Sequence, residues 1–216
     1  VPARVDAVIN SHSHEDHMAG NGLFADARLH IHDDDLPGAV SMDGLMQVYG
    51  LTGEARAAFE QVVVEEFHYT PRPDASGFGD GHVFDLGGGV TVEAVHLPGH
   101  TRGHSGFRIS GGVFFLSDID LTGFGPYYGD VWSDLEDFER SLEVVREEEA
   151  DYYVTFHHRG VIEGRSSQLA VQSTTTMGAR FDRAIGPAGA IVPIASPGVE
   201  NVAYASPTES ACSLSA

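Results

Sequence analysis

An apolar run, residues 5–10 (VDAVIN), leads into His12-Ser13-His14-Glu15-Asp16-His17, a segment of the form HxHxDH. Imidazole is the commonest zinc ligand at neutral pH, and a carboxylate is an accepted partner. Three imidazoles and an aspartate in six residues, set where a buried strand ends, point to a metal site at the edge of a sheet. The chain has twelve histidines, none beyond His158, and one cysteine, Cys212. A single cysteine excludes an internal disulfide framework and a cysteine metal cluster. It also sets the expectation of a soluble protein of a reducing compartment, the cytoplasm.

The rest of the body alternates strand and helix patterns. Residues 28–32 alternate as a strand. Residues 82–86 and 90–97 flank Gly87-Gly88-Gly89, and residues 106–110 and 113–117 flank Gly111-Gly112, so both pairs read as hairpins. Residues 152–156 read as a further strand. Helical turns are expected over 18–24, 45–51 and 54–64, with Thr52 as an N-cap. Ser133 with Glu136 three residues on marks the start of a helix running to about residue 150. Residues 71–80 read as a loop from their turn residues. Hairpins interspersed with helices predict a layered α/β protein, not a purely parallel doubly wound sheet. From Ser166 the periodicity fails and Ala, Ser, Thr, Gly and Pro dominate. The expected division is a chemically rich body, 1–165, and a low-complexity tail, 166–216, either mobile or drawn from another reading frame.

Three more motifs stand at strand ends: Leu97-Pro98-Gly99-His100-Thr101-Arg102-Gly103-His104, Leu116-Ser117-Asp118, and Val154-Thr155-Phe156-His157-His158. Together with HxHxDH, and in this order, they resemble the motifs of the metallo-β-lactamase superfamily of hydrolases over about residues 5–165. Ser117 stands where that family carries Gly. The resemblance implies an α/β fold, the αβ/βα four-layer sandwich with metals at one edge, here lacking the strands that usually precede HxHxDH. It implies one zinc site of His12, His14 and His100, a second of Asp16, His17 and one of His157 or His158, and Asp118 bridging the two. Mn²⁺ or iron would accept the same donors. Neighbouring residues of a strand face opposite sides, so only one of His157 and His158 ligates directly. Counting from the strand end favours His157; reading back from Arg159-Gly160 favours His158.

The activity so implied is a zinc-dependent hydrolase in which a hydroxide bridging two ions attacks a thioester, a lactone or another carbonyl ester, with Asp16 and Asp118 at the reacting centre. Glyoxalase II-like thioesterases and lactonases of the family use the full ligand set found here. Many true β-lactamases place a Cys in the second site. A β-lactam amide hydrolase and a catalytically inactive metal-binding fragment are the alternatives, and an iron oxidoreductase of this family needs a flavodoxin-like domain that the sequence lacks. Thirty-two acidic residues face twelve arginines and no lysine, a formal charge of −20. Such a chain does not suit nucleic acid or an anionic membrane as main partner. No apolar run of about 18 residues is present, and the opening stretch is too short in apolar residues for a signal peptide. A small-molecule substrate is expected, and the oligomeric state is left open.

The other candidates carry plainer expectations. His104 reads as a support behind the ligands or a pocket residue. His30 and His32 read as a surface strand, and His68, His82 and His96 as core-edge or surface residues. Asp33-Asp34-Asp35 reads as a helix start or a solvated run. In the loop 120–130, Phe124, Tyr127 and Tyr128 either line a pocket or pack onto the core.

Overall fold

The computed structural model describes residues 4–119, 129–157 and 160–164. By its contacts the chain divides into Val1–Met177 and Gly178–Ala216, and every described residue belongs to the first unit. The tail expected from residue 166 lies outside the described residues.

Strands β1 (Ala7–Ile9), β2 (Arg28–His32) and β3 (Ser76–Phe78) form a parallel sheet in the order β1-β2-β3. A second sheet runs in sequence order through β4 (Val83–Gly87), β5 (Val90–His96), β6 (Ser105–Ile109), β7 (Val113–Ser117), β8 (Tyr152–Thr155) and β9 (Val161–Glu163). Its pairings are antiparallel except β7 with β8, which are parallel across the connection carrying α5 (Leu135–Glu147). Helices α1 (Glu15–Met18), α2 (Leu36–Val40), α3 (Met42–Tyr49) and α4 (Gly53–Glu65) occupy the first half.

Strand alternation sorts the layers. Leu29 and Ile31 of β2 face one way and pack with Met18, Leu45, Met46 and Val63 beneath the helices. On the opposite face, Ile9 and Phe78 meet Phe84, Val92, Ala94 and Phe107 of the second sheet. Beyond that sheet, Arg108 and Phe114 are register partners on its far face, and Arg108 pairs with Glu148 just past α5. Helices, sheet, sheet and α5 thus form the four layers of the expected sandwich.

Besides the single turn α1 and the short strand β9, two elements escaped the sequence patterns. Residues 71–80 are not all loop, because β3 lies within them. It is three residues long, Ser-Gly-Phe, and exists through pairing with β2 rather than through any strand propensity of its own. Helix α2 follows an Asp run and contains Pro37 and Gly38, so no helical period announces it. The cap of α5 is shifted by one residue. Asp134, not Ser133, is the N-cap, and its Oδ1 accepts the Asp137 N–H at 2.9 Å. Thr52 does sit at the N-cap of α4, but its side chain makes no cap bond.

The topology places the chemistry. Strands β1, β5, β7 and β8 all end at the same edge of the sandwich. The segments that leave those ends carry His12–His17, His100–His104, Asp118 and His157.

Candidate metal centre

The first motif is shaped by the switch from strand to helix. His12 lies in the bend that leaves β1 and His14 in extended chain two residues on, and their rings meet edge to face. His14 is the N-cap of α1, with φ −78° and ψ 151°, and the single turn that follows carries Asp16 and His17 back toward the same edge. Asn10 holds that turn. Its Nδ2 donates to the His17 carbonyl at 2.8 Å, and its Oδ1 accepts from Asn21 at 2.9 Å.

Two groups of ligand atoms result. His12, His14, His100 and Asp118 each offer one atom, all within 4.8 Å of one another, and Asp16, His17 and His157 do the same. His12 Nε2 is 3.1 Å from His14 Nδ1. The ring planes of His12, His14 and His100 cross at 82°, 78° and 88°, so the three rings meet edge to face around the grouped ligand atoms. Asp118 lies between the groups: Oδ1 is 2.9 Å from His17 Nε2, and Oδ2 is 3.2 Å from His100 Nε2. His157 Nε2 is 3.1 Å from Asp16 Oδ2 and 3.5 Å from Asp118 Oδ2. The alternative residue, His158, lies outside the described residues, as do Phe124, Tyr127 and Tyr128.

The electrostatics favour a neutral His12 beside an ionised Asp118. His12 is fully buried, and its pKa is driven well below the usual histidine value, first by desolvation and then by the neighbouring His17, His100 and His14. Burial by itself would raise the pKa of Asp118; hydrogen bonding from His100 and His17 outweighs it and holds the carboxyl far below the carboxylate range. A neutral imidazole keeps the lone pair that a metal needs.

Four further residues support the ligands. His104 is fully buried. Its Nδ1–H donates to the Leu97 carbonyl at 2.9 Å, and its Nε2 accepts the Asp118 backbone N–H at 3.2 Å. Desolvation pushes its pKa down to about 3. Ser117 takes φ +52° at a register shift in β7, the position where a glycine would be at ease. Its hydroxyl donates to Ser11 Oγ at 2.8 Å, and Ser11 Oγ is 3.1 Å from His12 Nδ1. With that Nδ1–H turned toward Ser11, Nε2 is the nitrogen left for a metal. Asp130 Oδ2 lies 2.9 Å from His14 Nε2. No local pattern points to this contact, because Asp130 stands 116 residues from His14 in the sequence.

Two expectations are corrected. Asp35 does stand at a helix start, as the N-cap residue of α2, but it is not solvated: it is fully buried, and its carboxylate makes no cap bond and turns back to the metal loops. His32 is buried and not a surface residue; its ring stacks on His96 at 4.1 Å and 10°. His32, Asp34 and His96 also bring ligand atoms within 4.8 Å. The two rings are nearly parallel, though, so their in-plane lone pairs do not meet at one point. His96 Nε2 already donates to the Arg102 carbonyl at 2.8 Å. His68 and His82 are exposed, and His30 packs its ring on Phe84.

With a strand-end HxHxDH turn, a His loop, a single Asp after β7 and a late His on a two-sheet sandwich, the chain belongs to the metallo-beta-lactamase superfamily, whose family model matches residues 2–158. No curated protein matches. Among solved structures, a metallo-beta-lactamase family protein of Thermus thermophilus, TTHA1429, superposes with a TM-score of 0.61 at 21% identity, over 83% of this chain and 62% of its own. TTHA1623, solved in a di-iron-bound form, gives 0.54 at 21%, over 77% and 75%. ETHE1 from Myxococcus xanthus gives 0.52 at 14%, over 85% and 71%. At these identities the likeness is one of fold. The chain spans less than two thirds of the first of these proteins.

The donor set fits a pair of metal ions. It is all imidazole nitrogen and carboxylate oxygen, divided into a largely buried group and a half-buried one with a carboxylate between them. Among the described residues no helix is long and apolar enough to cross a membrane.

Proposed function

We propose that this protein is a metal-dependent hydrolase acting on a small-molecule carbonyl ester, with a thioester or a lactone as the favoured substrate class. The observation that carries the reading is the place of Asp118, with one oxygen turned to His17 and the other to His100. His12, His14 and His100 would hold one ion, Asp16, His17 and His157 the other, and Asp118 both. Two such ions, when bound, supply a hydroxide at neutral pH and polarise a carbonyl. The chain's part is to keep His12 neutral by burial, to keep Asp118 ionised, and to hold the ligand segments from behind through Ser11, His104 and Asp130. Zinc suits the donors, and manganese or iron would be accepted; the di-iron form of TTHA1623 keeps iron in view. The lysine-free, acidic composition favours a small substrate over a polyanion, and the lone Cys212 agrees with a reducing compartment such as the cytoplasm.

The test joins metal content to turnover. The purified protein is expected to hold two equivalents of metal and to hydrolyse at least one member of a thioester, lactone and cephalosporin panel. His14→Ala is expected to lower both. Turnover confined to the cephalosporin would move the assignment to amide hydrolysis, and a folded protein that takes up no metal would remove the hydrolase reading.

A further inference from the structure

We infer that Asp35 is a positioning residue that sets the metal affinity of the trihistidine half of the centre alone, an inference that rests on the two-metal reading above. A buried carboxylate is tolerated only when its oxygens are satisfied, and Asp35 is 0% exposed. Its Oδ2 accepts the Ser13 N–H at 2.8 Å, the Ser13 hydroxyl at 3.1 Å and the Thr101 hydroxyl at 2.7 Å. Its Oδ1 accepts the Gly103 N–H at 2.7 Å. Ser13 is the residue between His12 and His14, and Thr101 follows His100. One side chain therefore ties together the two loops that carry all three imidazoles.

Those loops leave different sheets, β1 in one and β5 in the other, and Asp35 spans the gap. Its own backbone is fixed at the entry to α2, where its N–H donates to the His32 carbonyl at 3.0 Å and its carbonyl accepts the Gly38 N–H at 3.0 Å. Gly103 approaches so closely that a Cβ there would stand 2.8 Å from the Asp35 Cβ. The other four ligand candidates are carried differently: Asp16 and His17 ride on the turn of α1, Asp118 follows β7, and His157 follows β8. The four bonds of Asp35 thus hold one half of the centre and not the other.

Asp35→Asn keeps the size but replaces one acceptor oxygen with a donor facing an N–H or O–H, so at least one of the four bonds must fail. The experiment measures Zn²⁺ affinity by competition with a chromophoric chelator, well below the melting temperature. The wild type gives the two-site reference. Asp35→Asn is then placed in a His157→Ala chain, which keeps the trihistidine half, and in a His100→Ala chain, which keeps the other. The expected result is an affinity loss of about 10- to 100-fold in the first background and a change within about twofold in the second. Equal weakening in both, as loss of general stability would give, overturns the inference, and so does no change in the first. A wild-type chain that binds fewer than two ions overturns the two-metal reading instead, and the inference with it. If Asp35→Asn fails to fold, Thr101→Val removes one donor with little change of shape. It must show a smaller loss confined to the His157→Ala background, and its absence there also overturns the inference.

Discussion

Acid should destabilise the metal-free protein in part through His104. Its ring is fully buried, with the Nδ1–H committed to the Leu97 carbonyl and Nε2 facing the Asp118 N–H. A second proton on Nε2 would set a donor against a donor, so the folded state resists it and the pKa falls from 6.5 to about 3. In the unfolded chain the same imidazole takes up a proton near 6.5. Its contribution to stability is therefore complete above pH 6.5 and is lost as pH falls from there toward 3. Each proton bound only by the unfolded state steepens the loss by about 1.4 kcal/mol per pH unit. From about pH 7 to about pH 5 this amounts to about 2 kcal/mol for His104. His12, lowered in the same direction, adds a similar slope. Asp118 is lowered as well, but from the carboxylate value, so its contribution is lost only below about pH 4, and the windows separate. His104→Gln can still donate and accept but cannot titrate. Urea unfolding of chelator-treated wild type and His104→Gln across this range should show their stability difference changing by about 2 kcal/mol, with His12 cancelling. A difference that does not vary with pH would refute the argument that His104 is neutral by burial.

Three other outcomes follow from the supports around the site. Gly99 has φ +123°, and a Cβ there would meet the Phe138 backbone nitrogen at 2.2 Å; Gly99→Ala should cost about 3 kcal/mol or more, read as a drop in melting temperature. Ser117→Gly should be nearly neutral in urea unfolding, since relief of a left-handed serine, about 1 kcal/mol, offsets the lost bond to Ser11. Ser117→Ala keeps the strain and loses the bond, so it should be about 1 kcal/mol less stable than Ser117→Gly. Tyr153 is fully buried, donates to the Glu148 carbonyl at 2.7 Å and accepts the Ala150 N–H at 3.1 Å; Tyr153→Phe should cost about 1–3 kcal/mol by calorimetry, without changing metal content.

Much of the fold was readable because its signals are local. The hairpins at Gly87-Gly88-Gly89 and Gly111-Gly112, the helices α3, α4 and α5, and the alternation in β2 and β7 all follow from neighbours a few residues apart. What escaped was decided by distant partners. Strand β3 is made by β2, and α2 is made by the packing of Gly38 and Ala39 into the first layer. The ligand candidates were legible for the same reason as the helices: HxHxDH fixes the spacing of His12, His14, Asp16 and His17 within two turns of chain.

The sequence alone determined the ligand chemistry, nitrogen and oxygen without sulfur, and the strand ends on which it sits, since composition and short-range spacing decide both. Only the tertiary structure decided how those ligands are aimed. Asp35 reaches Thr101 across 66 residues, Ser117 reaches Ser11 across 106, and Asp130 reaches His14 across 116. A carboxylate in an acidic run looks solvated until two sheets close over it. Burial then makes its hydrogen bonds obligatory, and no local pattern carries that information.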